Sequence, residues 1–167
     1  VNVSGVLHVK GKRIPSYLLC ISVFAVLMGC KDAGGEILWR NDPEGRKEAS
    51  VSGKTLLISF YADWCGYCKK MDATTFRDRQ VVAYVEKYFV PVKVDSDKEK
   101  QLAASYFVRG LPTTVFAKPS GEPISSLPGY VEPEHFLLAM QFIQTKGYEK
   151  MSFQEFVKQQ AGEQRGR

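Results

Sequence analysis

Residues 61–70 read YADWCGYCKK, two cysteines separated by two residues and preceded by a tryptophan. A pair at this spacing can hold half of a metal site, anchor a haem, staple the chain inertly, or cycle between dithiol and disulfide. Residues 55–62, TLLISFYA, form a nearly continuous apolar run with branched and aromatic side chains. Its length and texture suit a strand buried on both faces. Residues 65–76, CGYCKKMDATTF, read as a helix that starts at the motif. The cysteines therefore stand where a central strand ends and a helix begins.

Upstream, Asp42-Pro43 predicts a helix over 43–50, with Asp42 as the capping oxygen and Pro43 at the first helical position. Ser52-Gly53 breaks the chain after it. Downstream, a helix is expected over 80–88 and a strand, FVPVKVD, over 89–95, in which Pro91 argues against full pairing. A helix over 98–107 comes next, then a turn at Arg109-Gly110-Leu111-Pro112. A strand at 113–118, a hairpin turn at Pro119-Ser120-Gly121-Glu122 and a strand at 123–127 follow. Glu132-Pro133-Glu134 opens a helix with acids at its positive end. Phe136, Ala139, Met140 and Ile143 give that helix an apolar face, and Gly147 is expected to close it. In the tail, Ser152-Phe153-Gln154-Glu155 is a capping-box pattern with Phe153, Phe156 and Val157 on one side. It predicts a short helix that patches the domain surface rather than a partner-binding element. The order predicts an α/β fold, a central mixed β-sheet flanked by helices, with parallel crossovers first and an antiparallel hairpin last.

The chain has 167 residues, 44% hydrophobic and 25% charged, with a net charge of +5. That composition suits one well-buried domain. The basic excess traces to the N-terminus. Lys10, Lys12 and Arg13 occur there with no acid, followed by the uncharged, mostly apolar run YLLCISVFAVLMG at 17–29. This is the layout of a secretory signal, and it is short of the roughly 20 apolar residues a membrane helix wants. Leu27-Met28-Gly29-Cys30 resembles the lipobox of bacterial lipoproteins, which implies cleavage before Cys30 and a lipid on that cysteine. An uncleaved anchor, or cleavage near Ala33-Gly34-Gly35, stays open. Losing residues 1–29 removes three cations and takes the net charge from +5 to +2. No basic run with interleaved aromatics is left, so nucleic-acid binding has nothing to rest on. Residues 30–38 read as a tether.

Four cysteines are present, Cys20, Cys30, Cys65 and Cys68. Cys20 leaves with the leader and Cys30 is capped by lipid, so Cys65 and Cys68 stay as thiols, in an exported compartment where disulfides persist. Structural zinc wants four ligands, and only His135 accompanies the two cysteines. A c-type haem wants histidine after the second cysteine, where Lys69 stands. Iron–sulfur clusters normally take four cysteines. No metal is expected. A staple closing so short a loop restrains the unfolded chain little. A cysteine at a helix N-terminus has its thiolate stabilised, and a second cysteine a turn later can resolve a mixed disulfide formed by the first. Redox cycling is the expected use.

FYADWCGYCKKM, residues 60–71, resembles the active site of the thioredoxin superfamily, and the element order matches that fold over residues 37–147. Gly110-Leu111-Pro112-Thr113 resembles its cis-proline loop. The lead-in Tyr-Ala-Asp-Trp-Cys and Thr75-Phe76 look like the soluble C-terminal domain of the DsbD interchange protein. Gly147-Tyr148 through Gln154 resembles SoxW-type thioredoxins. The resemblance implies a thioredoxin-like domain over 39–147 with an extension over 148–167. It implies that Cys65 attacks and Cys68 resolves, with no cofactor beyond their disulfide. Trp64, Leu111, Pro112 and Gly129 would shape the substrate surface. Two positions depart from the pattern. Ser59 stands where the family usually carries a buried Asp, beside the family's lysine at Lys93. That leaves water, Ser59 or Asp63 to move the proton at Cys68. Gly66-Tyr67 replaces the common Gly-Pro and matches the DsbC isomerase, which hints at a more oxidising couple.

The resulting expectation is a monomeric, lipid-anchored oxidoreductase of the periplasm or cell envelope. It would reduce periplasmic protein disulfides with electrons from a DsbD- or CcdA-type membrane protein. An isomerase or oxidase is the rival within the class, and a redox-inert binding module the rival outside it.

Overall fold

The computed structural model describes residues 35–165; the expected leader, Cys20, Cys30 and the start of the tether lie outside the described residues. The elements run α1 (Asp42–Ser52), β1 (Thr55–Tyr61), α2 (Gly66–Ala73), α3 (Arg79–Tyr88), β2 (Phe89–Asp95), α4 (Lys100–Ser105), β3 (Thr113–Ala117), β4 (Pro123–Pro128), α5 (Pro133–Gln144) and α6 (Phe153–Arg165). The sheet order is β2-β1-β3-β4. β1 is parallel to β2 and antiparallel to β3, which pairs antiparallel with β4. The mixed sheet is the one expected.

β1 sits centrally because its sequence can be buried on both faces. Leu57 packs with Met71, Phe76, Phe116 and Phe136 on the face covered by α2, α3 and α5. Leu56, Ile58 and Phe60 pack with Ala49, Val92, Ala103 and Val115 on the face covered by α1 and α4. Each fully buried Leu, Ile, Val, Phe or Met side chain among these contributes about 1.5–3 kcal/mol relative to exposure. Among the described residues no helix is long and apolar enough to cross a membrane.

Several boundaries differ from the sequence reading, each for a local reason. Asn41, not Asp42, caps α1, accepting from the Glu44 N–H at 3.0 Å. The helix runs on to Ser52, where Gly53 at φ +70° stops it and donates to Ala49. The helix that begins at the motif ends at Ala73, and Thr75–Arg77 forms a separate tight turn. Thr75 is pulled out of the helix by donating its hydroxyl to the Val131 carbonyl at 2.6 Å. Asp78 then caps α3, accepting from the Gln80 and Val81 N–H groups. α4 is shorter than expected because the Lys98 and Glu99 N–H groups bond back to the Asp95 carbonyl.

Pro91 does not interrupt β2, which pairs with β1 along its whole length. The Arg40 N–H donates to the Pro91 carbonyl at 3.0 Å on the outer edge of the sheet. A residue's N–H and C=O point to the same side of a strand, so the donor that Pro91 lacks would have faced away from β1.

Gly147 does not close α5, which ends at Gln144; it opens a short turn, Gly147–Glu149. Its role is close approach, since a Cβ there would lie 2.5 and 2.9 Å from carbons of the Phe142 ring. The capping box forms as expected. The Ser152 N–H donates to the Glu155 carboxylate at 2.8 Å, and the Glu155 N–H to the Ser152 hydroxyl at 3.3 Å. Phe153 and Phe156 of α6 then pack on Phe142, each with ring centroids 5.4 Å apart. α6 patches the domain surface through this aromatic group.

Gly147→Ala should lower stability by about 1–3 kcal/mol, because Phe142 is hemmed in by Phe153 and Phe156 and cannot yield freely. Denaturant unfolding of the wild type and the variant checks this, and an unchanged midpoint contradicts the packing described.

Candidate active site

At the end of β1 the Tyr61 carbonyl accepts from the Ser96 N–H at 2.8 Å, and the chain turns so that the Cys65 N–H reaches the Ala62 carbonyl at 3.1 Å. Cys65 has extended backbone angles and serves as the N-cap of α2. Its Sγ accepts from the Cys68 N–H at 3.1 Å. Cys65 and Cys68 are joined by a disulfide, with Cα atoms 5.3 Å apart. They are 5% and 3% exposed. When such a bond is opened, the sulfur of Cys65 keeps an N–H donor and the positive end of the helix, which favours its thiolate. Cys68, one turn on and deeper, lacks that position. The two sulfurs are therefore electrostatically unequal, as a nucleophile and a resolving group must be.

The Leu111–Pro112 bond is cis. Leu111 packs against the group formed by Ala62, Cys65 and Cys68. Among the described residues neither backbone group of Leu111 has a hydrogen-bond partner. The Pro112 carbonyl is held by the Gly129 N–H at 2.7 Å. Gly129 has φ +83°, and a Cβ there would meet nothing within 4 Å, so the glycine is required by the backbone conformation and leaves the space beside it open. The loop after Gly129 is fastened to α2. Lys70 lies 3.9 Å from the centre of the Tyr130 ring, and the Tyr130 hydroxyl meets Thr74 at 3.1 Å and donates to Glu132 at 3.0 Å.

Trp64, just before Cys65, and Tyr67, between the two cysteines, are exposed, at 71% and 65%, and Gly66 is exposed too. The Trp64 indole N–H donates to Asp97 at 2.8 Å. Asp97 is held in turn by its own N–H, which donates to Asp95 at 3.0 Å. The structure thus brings Leu111 against Cys65 and Cys68, sets Trp64 with Leu111 along one groove, and ties Gly129 to Pro112 of the same loop.

Of the supporting residues, Asp63 is exposed in the turn and reaches the site only through its charge, which helps raise the Tyr61 pKa. Burial is the larger cause of that rise, followed by the charge of Asp95. Ser59 is buried and lies in register with Lys93 on β2 and Thr114 on β3. The Lys93 ammonium goes to both oxygens of Asp72, at 2.7 and 2.8 Å. Asp72 and Asp97 are site residues that the sequence reading missed. Asp72 carried a usable signal, since it follows Cys68 by four residues on a helix. Asp97 carried none, being 33 residues from its indole partner.

Asp95 accepts from the Lys98 ammonium at 2.7 Å. That bond is the main cause of a carboxyl pKa below the ordinary 3.8, with the Asp97 N–H adding to it against the effect of burial. A depressed folded pKa means the pair's stabilising contribution is present at neutral pH and is lost as pH falls through the lowered value. The Asp95 carboxyl should titrate below 3.8 in a carbon-detected NMR titration, and Lys98→Ala should move it back toward the ordinary range. A wild-type midpoint at or above 3.8 contradicts the ion pair.

A thioredoxin-like domain model matches residues 43–144. The chain is 37% identical over 90 residues to the thiol:disulfide interchange protein DsbD of Photorhabdus laumondii; the match takes in 51% of this chain and 16% of that protein. It is 40% identical over 81 residues to thioredoxin-1 of Drosophila melanogaster, covering 47% of this chain and 69% of that one. The solution structure of a thioredoxin from Thermus thermophilus superposes with a TM-score of 0.62 at 28% identity, over 68% of this chain and 91% of the other. With a matching model over more than half its length and a Cys65–Cys68 disulfide at a helix N-terminus, the chain belongs to the thioredoxin-like domain family.

Proposed function

We infer that the protein is an exported thiol–disulfide reductase. The observation that carries this reading is the unequal setting of the two sulfurs, with Cys65 at the N-cap accepting the Cys68 N–H and Leu111–Pro112 packed beside them. In the reduced form the Cys65 thiolate attacks a client disulfide and forms a mixed disulfide. Cys68 then attacks Cys65 and releases the client as a dithiol. The unpartnered backbone of Leu111 suits a client chain laid alongside as an extra strand, and Trp64, Pro112 and Gly129 shape the surface it meets. The redox group is the cysteine pair itself, with no other cofactor.

The leader and Cys30 support a lipid-anchored protein of the periplasm or cell envelope, acting as a monomer on periplasmic protein disulfides. The likeness to DsbD supports a membrane donor of DsbD or CcdA type. The exposed Tyr67 between the cysteines favours isomerase or oxidase work instead, and the potential of the couple decides between them.

Cys68→Ser should accumulate mixed disulfides through Cys65 in envelope extracts, released by dithiothreitol; a redox-inert binding module would trap nothing. Equilibration of the wild type with glutathione buffers should give a potential near thioredoxin's, about −270 mV. A value of about −180 to −120 mV, the range of disulfide isomerase and DsbA, would overturn the reductase assignment.

A further inference from the structure

The end of α4 holds a conformation that its residue does not favour. Phe107 is the first residue past the helix cap at Tyr106, and its N–H donates to the Ala104 carbonyl at 3.0 Å. Its φ is +56°, the left-handed region in which helix ends usually place glycine. For a bulky side chain this region is unfavourable, because Cβ crowds the neighbouring carbonyl oxygen. Packing does not compensate, since Phe107 is 79% exposed. Strain of this kind persists where function needs it, and exposed aromatic rings are what protein interfaces are enriched in.

Ala104, whose carbonyl takes the Phe107 N–H, and Val108, the next residue, both line a groove of about 340 Å³. Trp64 and Leu111 line it too, and Leu111 packs against Cys65 and Cys68. The groove thus joins the surroundings of the disulfide to the residues that hold Phe107. Lys100 and Arg109, both exposed, complete the charged part of its lining, and among the described residues no Asp or Glu lines it. Neither cation has an ion-pair partner among the described residues. Of the carboxylates close by in sequence, Asp95 binds Lys98 and Asp97 accepts from the Trp64 indole, which leaves Glu99 at the start of α4.

We propose that Phe107, Lys100 and Arg109 form a recognition edge that selects client segments carrying carboxylates close to their reactive cysteine. This rests on the reductase reading above and adds to it the kind of client. Once Cys65 is bonded to a client sulfur, the client chain runs past Leu111, whose backbone groups have no partner among the described residues. Arg109 lies two residues before Leu111, a span of at most about 7 Å. A carboxylate two or three residues from the client cysteine therefore comes within reach of Arg109, and of Lys100 on the same groove. An apolar client side chain beyond it covers Phe107. The cations favour acidic segments and disfavour basic ones, and the ring adds contact area that does not depend on charge.

The test uses the full-length chain, reduced beforehand, and two synthetic peptides that each contain a single internal disulfide. They differ only in a run of Glu or of Lys next to the cysteine, and both carry Leu beyond that run. The single-turnover rate constant for reduction should be about tenfold higher for the Glu peptide at low salt, and the gap should narrow in about 0.5 M NaCl. Lys100→Gln with Arg109→Gln should bring the two rates within about twofold. Phe107→Gly should slow both peptides about threefold, yet raise the melting temperature by about 2–4 °C, because the conformation suits glycine. Equal rates for the two peptides in the wild type, or a preference for Lys, overturn the proposal, as does a preference that survives loss of both cations. So does a Phe107→Gly chain that keeps both rates, or one that melts lower, since the ring would then serve the fold. If the wild type reduces neither peptide nor the neutral hydroxyethyl disulfide, the reductase reading itself fails, and that outcome is distinct from the others.

Discussion

Leu56, Leu57, Ile58, Ser59 and Phe60, consecutive in β1, are buried between two helical layers, and the rest of the molecule is arranged around keeping them so. A strand covered on both faces cannot run on into solvent, so the chain must turn at Ala62 and return over the sheet as a helix. The turn places Cys65 at the start of α2, where the Cys68 N–H reaches its sulfur. The same central strand pairs with β3 in a register that sets Phe60 opposite Thr113, which brings the preceding Leu111–Pro112 loop to the disulfide. The placing of the disulfide and that of the cis-proline loop are two consequences of one buried strand.

The polar row that Lys93, Ser59 and Thr114 form across three strands shows how far such a core departs from a purely apolar one. Lys93 enters from an edge strand with its ammonium between two aromatic rings and a carboxylate, an arrangement that answers its charge without full burial. Ser59 occupies the central position of the row, and the carboxylate that meets the lysine, Asp72, stands on the covering helix. The charged pair lies at the partly exposed side of the row while the innermost strand stays neutral, which avoids the cost of burying a charge there.

How much could be read from the sequence follows from how local each determinant is. The strand over 55–62, the helix start at the cysteines, the hairpin turn at 119–122 and the capping box at Ser152 rest on neighbours within a few residues, and all appear in the structure. Helix ends were less legible. Asn41 displaced Asp42 as a cap, and Thr75 left α2, because a partner elsewhere, Val131 in the latter case, decided the outcome. Gly147 was misread as a helix stop because its reason is a ring packed against it, invisible to any turn rule.

The sequence by itself determined the fold class, the strand–cysteine–helix junction and the paired thiols, because burial pattern, helix start and cysteine spacing are properties of short segments. Only the tertiary structure decided which carboxylates serve the site. Asp97 reaches Trp64, and Asp72 reaches Lys93, across separations of 33 and 21 residues. A charged side chain is drawn to whichever opposite group or donor the packed backbone brings within a few ångströms, and that distance does not exist until the sheet and its covering helices have assembled.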